Sequence, residues 1–303
     1  MEEIARLVEI QASMLLYLGL GALCRRTGII NDISEKSMST AITNIIFPCM
    51  IFRAMIESLN EVEWKKAGAA AVVCIVIFTA SFLLGKLAFR RYAIERRAVL
   101  VFGILISNAA FVGLPLVTGI FGALGIFYTT IYMTVSRVFL WSAGVSVFPA
   151  HENKNPILVV VTNPNSIAMF LAVTVYFLPV SLPGLLLEAA GEIGGMSTIF
   201  CMTVVGSLVT GVRWNNFTDR TTLYFCFLRL LAVPLVTFFL LKWVGMEPVI
   251  TGVMTLLVST PAPTLGSVLA SKYGGDKAFA SSLVLVSTLL SIVTIPLLAV
   301  LYV

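Results

Sequence analysis

Long apolar segments alternate with short polar breaks along the whole chain. Apolar runs lie at about 7–23, 37–56, 67–86, 98–118, 126–148, 164–181, 190–211, 222–241, 249–270 and 278–302. They are roughly 18 to 25 residues long, and an α-helix needs about 20 apolar residues to cross the hydrocarbon core of a bilayer. The pattern therefore predicts an all-α polytopic membrane protein with ten transmembrane helices.

The seventh run is the weakest. Glu188 and Glu192 lie near its start, and the pair Gly194-Gly195 lies where the helix would continue. Because glycine costs a helix about 1 kcal/mol relative to alanine, we expect an interruption there.

The composition excludes a water-soluble domain. Hydrophobic residues make up 59% of the chain and charged residues 12%, whereas soluble domains carry about 25% charged residues. The mean hydropathy is +1.01. The acidic N-terminal segment runs directly into the first apolar run, so we expect a spanning helix there rather than a cleaved signal peptide. The lipid bilayer is therefore the first partner that the sequence implies.

The distribution of basic residues predicts the orientation. Thirteen of the 20 lysine and arginine residues lie in breaks after odd-numbered runs, and four lie in the other breaks or before the first run. Positive residues favour the cytoplasmic side, so both termini are expected outside a cell membrane, the inner membrane if the source is bacterial. The net charge of +5 thus reflects topology, and no basic stripe on a soluble segment suggests nucleic-acid binding.

Ten runs divide into five plus five around the break at 149–163. Because five is odd, the second set enters the membrane from the opposite side to the first. This arrangement predicts two inverted five-helix repeats, as in many secondary transporters.

The fourth run of each half carries proline beside polar or glycine residues near its middle. Proline lacks an amide donor and opens a helix, and the freed backbone groups must be buried in protein or line a cavity. We expect two broken helices that cross at mid-membrane and present half-helix N-termini to an anionic group. Ordinary proline kinks are the alternative. The residues concerned are Asn108, Gly113 and Pro115 in run four and Ser259, Thr260, Pro261 and Pro263 in run nine.

Several motifs resemble those of one transporter family. Residues 108–116 (NAAFVGLPL) resemble N-x-x-x-x-G-[IL]-P-L, and residues 229–234 (RLLAVP) resemble R-x-L-x-x-P. Pro261 followed by residues 270–273 (ASKY) resembles P-x8-A-x2-Y, and residues 44–52 (NIIFPCMIF) resemble a proline-containing second span. In this order and spacing they are similar to the auxin efflux carrier family, which includes the PIN-type plant carriers and compact bacterial proteins.

The resemblance implies an architecture and a cargo. Spans 1, 2, 6 and 7 (residues 1–60 and 164–211) would form a scaffold that often makes a homodimer. Spans 3–5 and 8–10 (residues 64–148 and 220–303) would form a transport unit that moves like an elevator, with residues 149–163 as a cytoplasmic linker. The implied cargo is a small organic anion, a mono- or dicarboxylate. The long cytoplasmic loop of the plant carriers is absent, and the plant substrate contacts in span five align loosely with Ser136 and Trp141.

Three arginines lie inside the predicted spans. Arg137 is roughly 16 Å from either end of its span, so it needs backbone carbonyls, water or an anionic ligand as partner. Arg229 lies nearer the cytoplasmic end, within snorkelling reach, and is a candidate supporting charge. Arg53 is expected to pair with Glu57 one helical turn later.

Neutral polar groups and no carboxylates occupy the predicted crossing. Hard cations need charged oxygen ligands, so we expect an anion as cargo, with no metal and no cofactor. Asn108 would donate to a carboxylate oxygen, the half-helix termini near Pro115 and Pro261 would neutralise it, and Arg137 would set the local potential. The candidate substrate-binding residues are Asn44, Asn108, Gly113, Pro115, Ser136, Arg137, Trp141, Ser259, Thr260, Pro261 and Pro263.

Other functions remain open at this point. A sodium-coupled symporter of the bile-acid type has a related fold, and a membrane receptor that does not transport is an alternative of another class. An enzyme is not indicated, because the chain has no G-x-S-x-G, H-E-x-x-H or cofactor-binding loop.

Overall fold

The computed structural model describes residues 2–59, 63–150, 155–178, 182–210 and 219–301. In these ranges the regular structure is helical, without a β-strand. The α-helices of the first half are α1 (Glu2–Arg26), α2 (Asp32–Ala41), α3 (Phe47–Ser58), α4 (Trp64–Ala88), α5 (Ile94–Leu105) and α6 (Leu114–Phe139). Those of the second half are α7 (Pro156–Val161), α8 (Pro164–Phe177), α9 (Gly184–Gly195), α10 (Ser197–Val209), α11 (Arg220–Phe227), α12 (Val233–Trp243), α13 (Pro248–Ser259), α14 (Leu265–Lys272) and α15 (Lys277–Ala299).

Several helical runs are long and apolar enough to cross a bilayer, which agrees with the prediction of an all-α polytopic membrane protein. The described residues contain six such runs, and two further apolar helices, α8 and α13, are shorter. The number of ten crossings and their inverted arrangement stay predictions. The six runs are Asp32–Ser58, Trp64–Ala88, Ile94–Gly144, Gly184–Leu208, Arg220–Trp243 and Lys277–Ala299.

The longest of these runs, Ile94–Gly144, contains a sharp bend. It has 51 residues, far more than the roughly 20 that one crossing needs. Gly122 interrupts α6 with φ 58° and ψ −145°, a conformation that side chains disfavour and glycine permits. The bend falls in the predicted gap between runs four and five, at about 118–126.

The interruption expected in the seventh run is present. α9 ends at Gly195 and α10 begins at Ser197. A β-carbon on Gly194 would lie 2.7 Å from the Cα of Met50. The glycine therefore also permits close packing of α9 on α3.

Prolines account for three π-helical segments. Proline cannot donate to the carbonyl four residues earlier, and its ring clashes with that carbonyl. The wider π turn leaves room for the proline ring. Each segment ends two residues before a proline: Ile42–Ile46 before Pro48, Ala109–Gly113 before Pro115, and Leu228–Ala232 before Pro234. A fourth π segment, Leu140–Gly144, follows α6 directly.

The helices pack in two sets of neighbours. α1 lies along α10, and α3 packs against α8 and α9. α4 packs against α5 and α6, α12 against α13, and α14 against α15. α3 also packs against α6. The division into spans 1, 2, 6 and 7 and spans 3–5 and 8–10 stays a prediction.

Two glycines bring the backbones of α1 and α10 into contact. A β-carbon on Gly21 would lie 2.1 Å from the carbonyl oxygen of Thr203, and one on Gly206 would lie 2.0 Å from the carbonyl oxygen of Leu18. Side chains cannot occupy either position without separating the helices. Small residues of this kind allow close helix packing in membranes.

We predict that Gly21→Ala destabilises the protein by about 3 kcal/mol, because overpacking against backbone cannot be relieved by a rotamer change. Gly19→Ala is the matched control on the same helix, since a β-carbon there meets nothing within 4 Å and alanine favours the helix. Thermal unfolding of the purified protein in detergent measures both. Equal unfolding temperatures for the two variants would contradict the close contact.

Candidate functional site at the crossing of two interrupted helices

Two helices stop inside the protein and meet through their backbones. α5 ends at Leu105 and the chain is non-helical to Asn108, and α13 ends at Ser259 before a non-helical stretch to Pro263. The backbone N–H of Asn108 donates to the carbonyl oxygen of Pro261 at 2.9 Å. The two interruptions predicted from proline are thus joined directly. In the first, the chain unwinds upstream of Pro115, which lies in the first turn of α6.

Because the N–H of Asn108 donates to Pro261, carbonyl groups at the ends of the interrupted helices need another donor. Arg229 provides it. In an uninterrupted helix, the N–H of Asn108 would donate to the carbonyl oxygen of Ile104. Instead, Arg229 Nη1 donates to that oxygen at 2.8 Å and Arg229 Nε donates to the carbonyl oxygen of Thr260 at 3.1 Å. Its guanidinium therefore binds the C-terminal ends of α5 and α13, where helix dipoles place partial negative charge.

Arg229 lies deep in the protein, with 1% of its surface exposed. The sequence placed it within snorkelling reach of the cytoplasmic face, but its side chain points inward to the crossing. It lies in the π segment Leu228–Ala232, and its charge compensates the two helix ends. It acts here as a structural cation.

Further hydroxyl groups tie neighbouring helices to the crossing. Ser107 Oγ and the Tyr132 hydroxyl lie 3.1 Å apart, and the backbone N–H of Ala262 donates to Ser287 Oγ at 3.1 Å. Tyr132 belongs to α6. Sequence reasoning missed Tyr132 and Ser287, and their only signal was a hydroxyl within an apolar run.

Gly113 permits the first interrupted helix to lie against the second. A β-carbon there would lie 2.8 Å from Leu257 Cδ2 and 3.2 Å from Thr260 Cγ2. A larger residue would push the segment Ala109–Gly113 away from the end of α13. Gly113 thus has a packing role beside its predicted place in the site.

Two predicted substrate-binding residues, Ser259 and Thr260, donate their hydroxyl protons to backbone carbonyl oxygens. Ser259 Oγ donates to the carbonyl oxygen of Leu256 at 2.7 Å, and Thr260 Oγ1 donates to that of Leu257 at 2.8 Å. Both residues are completely buried. As placed, neither hydroxyl has a proton to donate to an anion.

Two side chains at the crossing keep a free donor within the described part of the chain, Asn108 at Nδ2 and Arg229 at Nη2. Asn108 is 4% exposed. An unsatisfied buried donor costs about 1–3 kcal/mol. The helix that begins at Ala109 adds first-turn N–H groups, which lack intrahelical partners. Together these groups form a cluster of hydrogen-bond donors without acceptors among the described residues.

The remaining candidates lie elsewhere on the helices. Ser136 and Arg137 are in the last turn of α6, and Trp141 is in the π segment after it. Arg137 is half-buried, and within the described ranges it has neither a hydrogen bond nor an ion pair. Asn44 is exposed, which places it outside the buried cluster.

The expected pair of Arg53 and Glu57 is confirmed, with Nη2 and Oε1 2.6 Å apart. In the described ranges, no group of three or more His, Cys, Asp or Glu residues could hold a metal ion. Neutral polar groups and one buried cation therefore define the chemistry of the crossing.

We predict that Arg229→Lys destabilises the protein by about 1.5–3 kcal/mol, the contribution of one hydrogen bond to a charged group. Lysine carries the charge but cannot reproduce the two-armed geometry of the guanidinium. Arg53→Lys is the matched control in a partly exposed ion pair, where we expect a change below about 1 kcal/mol. Unfolding in detergent measures the two variants, and similar losses would argue against a bridging role for Arg229.

Comparison with known proteins identifies the family. A family model described as a membrane transport protein matches residues 7–160 and 153–299. An uncharacterized transporter from Methanothermobacter thermautotrophicus is 25% identical over 295 residues, which cover 94% of this chain and 95% of that protein.

These matches extend over almost the whole chain, and they agree with the motifs at residues 108–116 and 229–234 that contribute to the crossing. The chain therefore belongs to the auxin efflux carrier family of membrane transport proteins.

Proposed function

We propose that the protein is a secondary carrier for a small organic anion, a mono- or dicarboxylate, which binds at the crossing of the two interrupted helices. The observation that carries the proposal is the buried side-chain amide of Asn108, the residue before an interrupted helix, whose Nδ2 has no hydrogen-bond partner among the described residues. A carboxylate oxygen would satisfy this donor, and charge-assisted hydrogen bonds of this kind are the strong ones.

The charges around the crossing favour a negative cargo. Arg229 offsets the negative ends of α5 and α13, and its Nη2 has no hydrogen-bond partner in the part of the chain that the structure describes. Farther along α6, Arg137 is a second cation with no acidic partner among the described residues. The positive N-terminus of the helix at Ala109 adds to their potential. A cation would be repelled by this helix N-terminus, and an anion would accept hydrogen bonds from its free donors.

The motion that we propose is an elevator-like displacement of spans 3–5 and 8–10 against spans 1, 2, 6 and 7. Two ion pairs support a single moving unit. Lys66 Nζ lies 3.4 Å from Glu247 Oε2, and Arg96 Nε lies 3.1 Å from Asp276 Oδ2. The first links α4 to the start of α13, and the second links α5 to the start of α15. We also propose that the chain crosses the membrane ten times in two inverted repeats, that both termini lie outside, and that the protein forms a homodimer.

The test is a panel of mono-, di- and tricarboxylates against the purified protein. We expect carboxylates of one size class to raise its unfolding temperature, because binding to the folded state stabilises it. The ligands found in this way are then assayed for uptake into proteoliposomes, with and without pH and sodium gradients. Stabilisation by cations or neutral solutes alone would overturn the anion proposal, and binding without flux would favour a receptor.

We predict that Asn108→Asp weakens anion binding. The substitution keeps the size of the side chain, but it replaces the amide donor with a carboxylate that repels the cargo, so affinity should fall at least about tenfold. Thr40→Asp, at an exposed position of α2, controls for the added charge. Calorimetric titration with the best anion measures both, and unchanged affinity in Asn108→Asp would remove Asn108 from the site.

A further inference from the structure

The excess positive charge of the chain is concentrated in three short segments. Residues 86–97, 219–220 and 272–277 contain eight basic and three acidic residues. Their net charge of +5 equals that of the whole chain, so the charges of the remaining residues cancel. All three segments lie at ends of predicted spans, on the face that the distribution of basic residues predicts to be cytoplasmic.

Contacts between distant parts of the sequence bring the three segments together. The backbone N–H of Asp276 donates to the carbonyl oxygen of Glu95 at 3.4 Å, and Arg96 Nε donates to Asp276 Oδ2 at 3.1 Å. The ring of Phe89 lies edge-on to that of Tyr224, with 5.9 Å between the ring centroids. The segments therefore form one continuous basic surface.

Three arginines of this surface lie around the aromatic pair. Arg90 and Arg91 follow Phe89 directly, and Arg220 lies four residues before Tyr224 on the same face of α11. All three arginines are exposed, and none forms an ion pair with another residue that the structure describes. We call these three residues the arginine cluster.

The carboxylates of the basic surface have other roles. Asp276 pairs with Arg96, and Asp219 accepts hydrogen bonds from the backbone N–H of Thr221 and the hydroxyl of Thr222. Glu95 lies in the first turn of α5, where the helix dipole favours a negative charge. The arginine cluster is thus left to bind an anion from outside the chain.

Exposed apolar side chains lie beside the arginine cluster. Leu83 and Leu87 are exposed near the end of α4, and Leu223 and Phe227 are exposed on α11. Both helices belong to runs that are long and apolar enough to cross a bilayer. The arginines lie at the ends of the same two runs, at the level that lipid headgroups occupy. A ligand with a charged head and an apolar tail matches this surface.

We propose that the arginine cluster binds the phosphate of an anionic phospholipid in the cytoplasmic leaflet, with the acyl chains lying along α4 and α11. Arginine forms paired hydrogen bonds with phosphate oxygens, and basic groups at the ends of spanning helices attract anionic lipids. Arg220 precedes Arg229 by nine residues, roughly 13 Å along a helix. The lipid site is therefore separate from the crossing and does not depend on the proposed cargo.

The first test compares two lipids on the unaltered protein. Purified protein in a neutral detergent is titrated with phosphatidylglycerol or with phosphatidylcholine of the same acyl chains, and bound lipid is counted by native mass spectrometry. We expect at least about tenfold tighter binding of phosphatidylglycerol, because only its headgroup carries a net negative charge. Equal affinity for the two lipids would overturn the proposal.

A competitor separates a lipid from a free phosphate. Glycerol 3-phosphate carries the charged group of the lipid without acyl chains, so it should displace phosphatidylglycerol only at concentrations far above those of the lipid. Displacement at equal concentrations would assign the arginine cluster to a soluble phosphate and overturn the lipid proposal.

The second test removes the arginine cluster. The combined variant Arg90→Gln, Arg91→Gln and Arg220→Gln should bind phosphatidylglycerol at least about tenfold more weakly than the unaltered protein. Its affinity for phosphatidylcholine should stay the same. Unaltered phosphatidylglycerol affinity in this variant would overturn the assignment, and its unfolding temperature checks that it is folded.

The matched control removes three positive charges elsewhere. Arg26, Lys36 and Lys65 are exposed, and none has an ion pair in the described ranges. The combined variant Arg26→Gln, Lys36→Gln and Lys65→Gln should keep its affinity for phosphatidylglycerol within about twofold. If it loses as much affinity as the first variant, net charge and not the arginine cluster attracts the lipid, and the proposal fails.

Discussion

A helix that stops within a membrane leaves carbonyl groups that lipid cannot satisfy, and the structure depends on how these groups are bonded. The guanidinium of Arg229 bonds the carbonyl oxygens of Ile104 and Thr260, and the N–H of Asn108 bonds Pro261. A buried cation is costly when it has no counter-charge. Here two helix ends, each with a partial negative charge, take the place of the missing carboxylate.

The same arrangement determines which donors at the crossing stay free to bind a ligand. Hydroxyl groups near it donate to their own helices, so they stabilise the fold and offer lone pairs only. The amide of Asn108 cannot form such a local bond, because the helix begins after it. Its donor and the first-turn N–H groups remain available, and they lie beside the end of a neighbouring helix that Gly113 allows to approach closely.

Patterns local in sequence predicted much of this molecule. The length of the apolar runs predicted a polytopic membrane protein, and the pair Gly194-Gly195 predicted the interruption between α9 and α10. The spacing of Arg53 and Glu57 predicted their ion pair. The inward direction of Arg229, the contact of Tyr132 with Ser107 and the exposure of Asn44 depend on which helices become neighbours. A single sequence does not contain that information, because a polar residue in an apolar run has the same pattern whether it faces a cavity, a helix end or lipid.

The contact of α1 with α10 has a consequence for the way in which this protein can change over evolutionary time. Most of the lipid-facing surface tolerates any apolar side chain, since lipid adapts to its shape. At Gly21 and Gly206 even a methyl group would move two backbones apart by roughly 1 Å. Both glycines lie in the predicted scaffold and outside the crossing, yet substitution there would alter the helix pair against which the proposed elevator motion would take place. Substitution is therefore most restricted at some positions that lie outside the proposed substrate site.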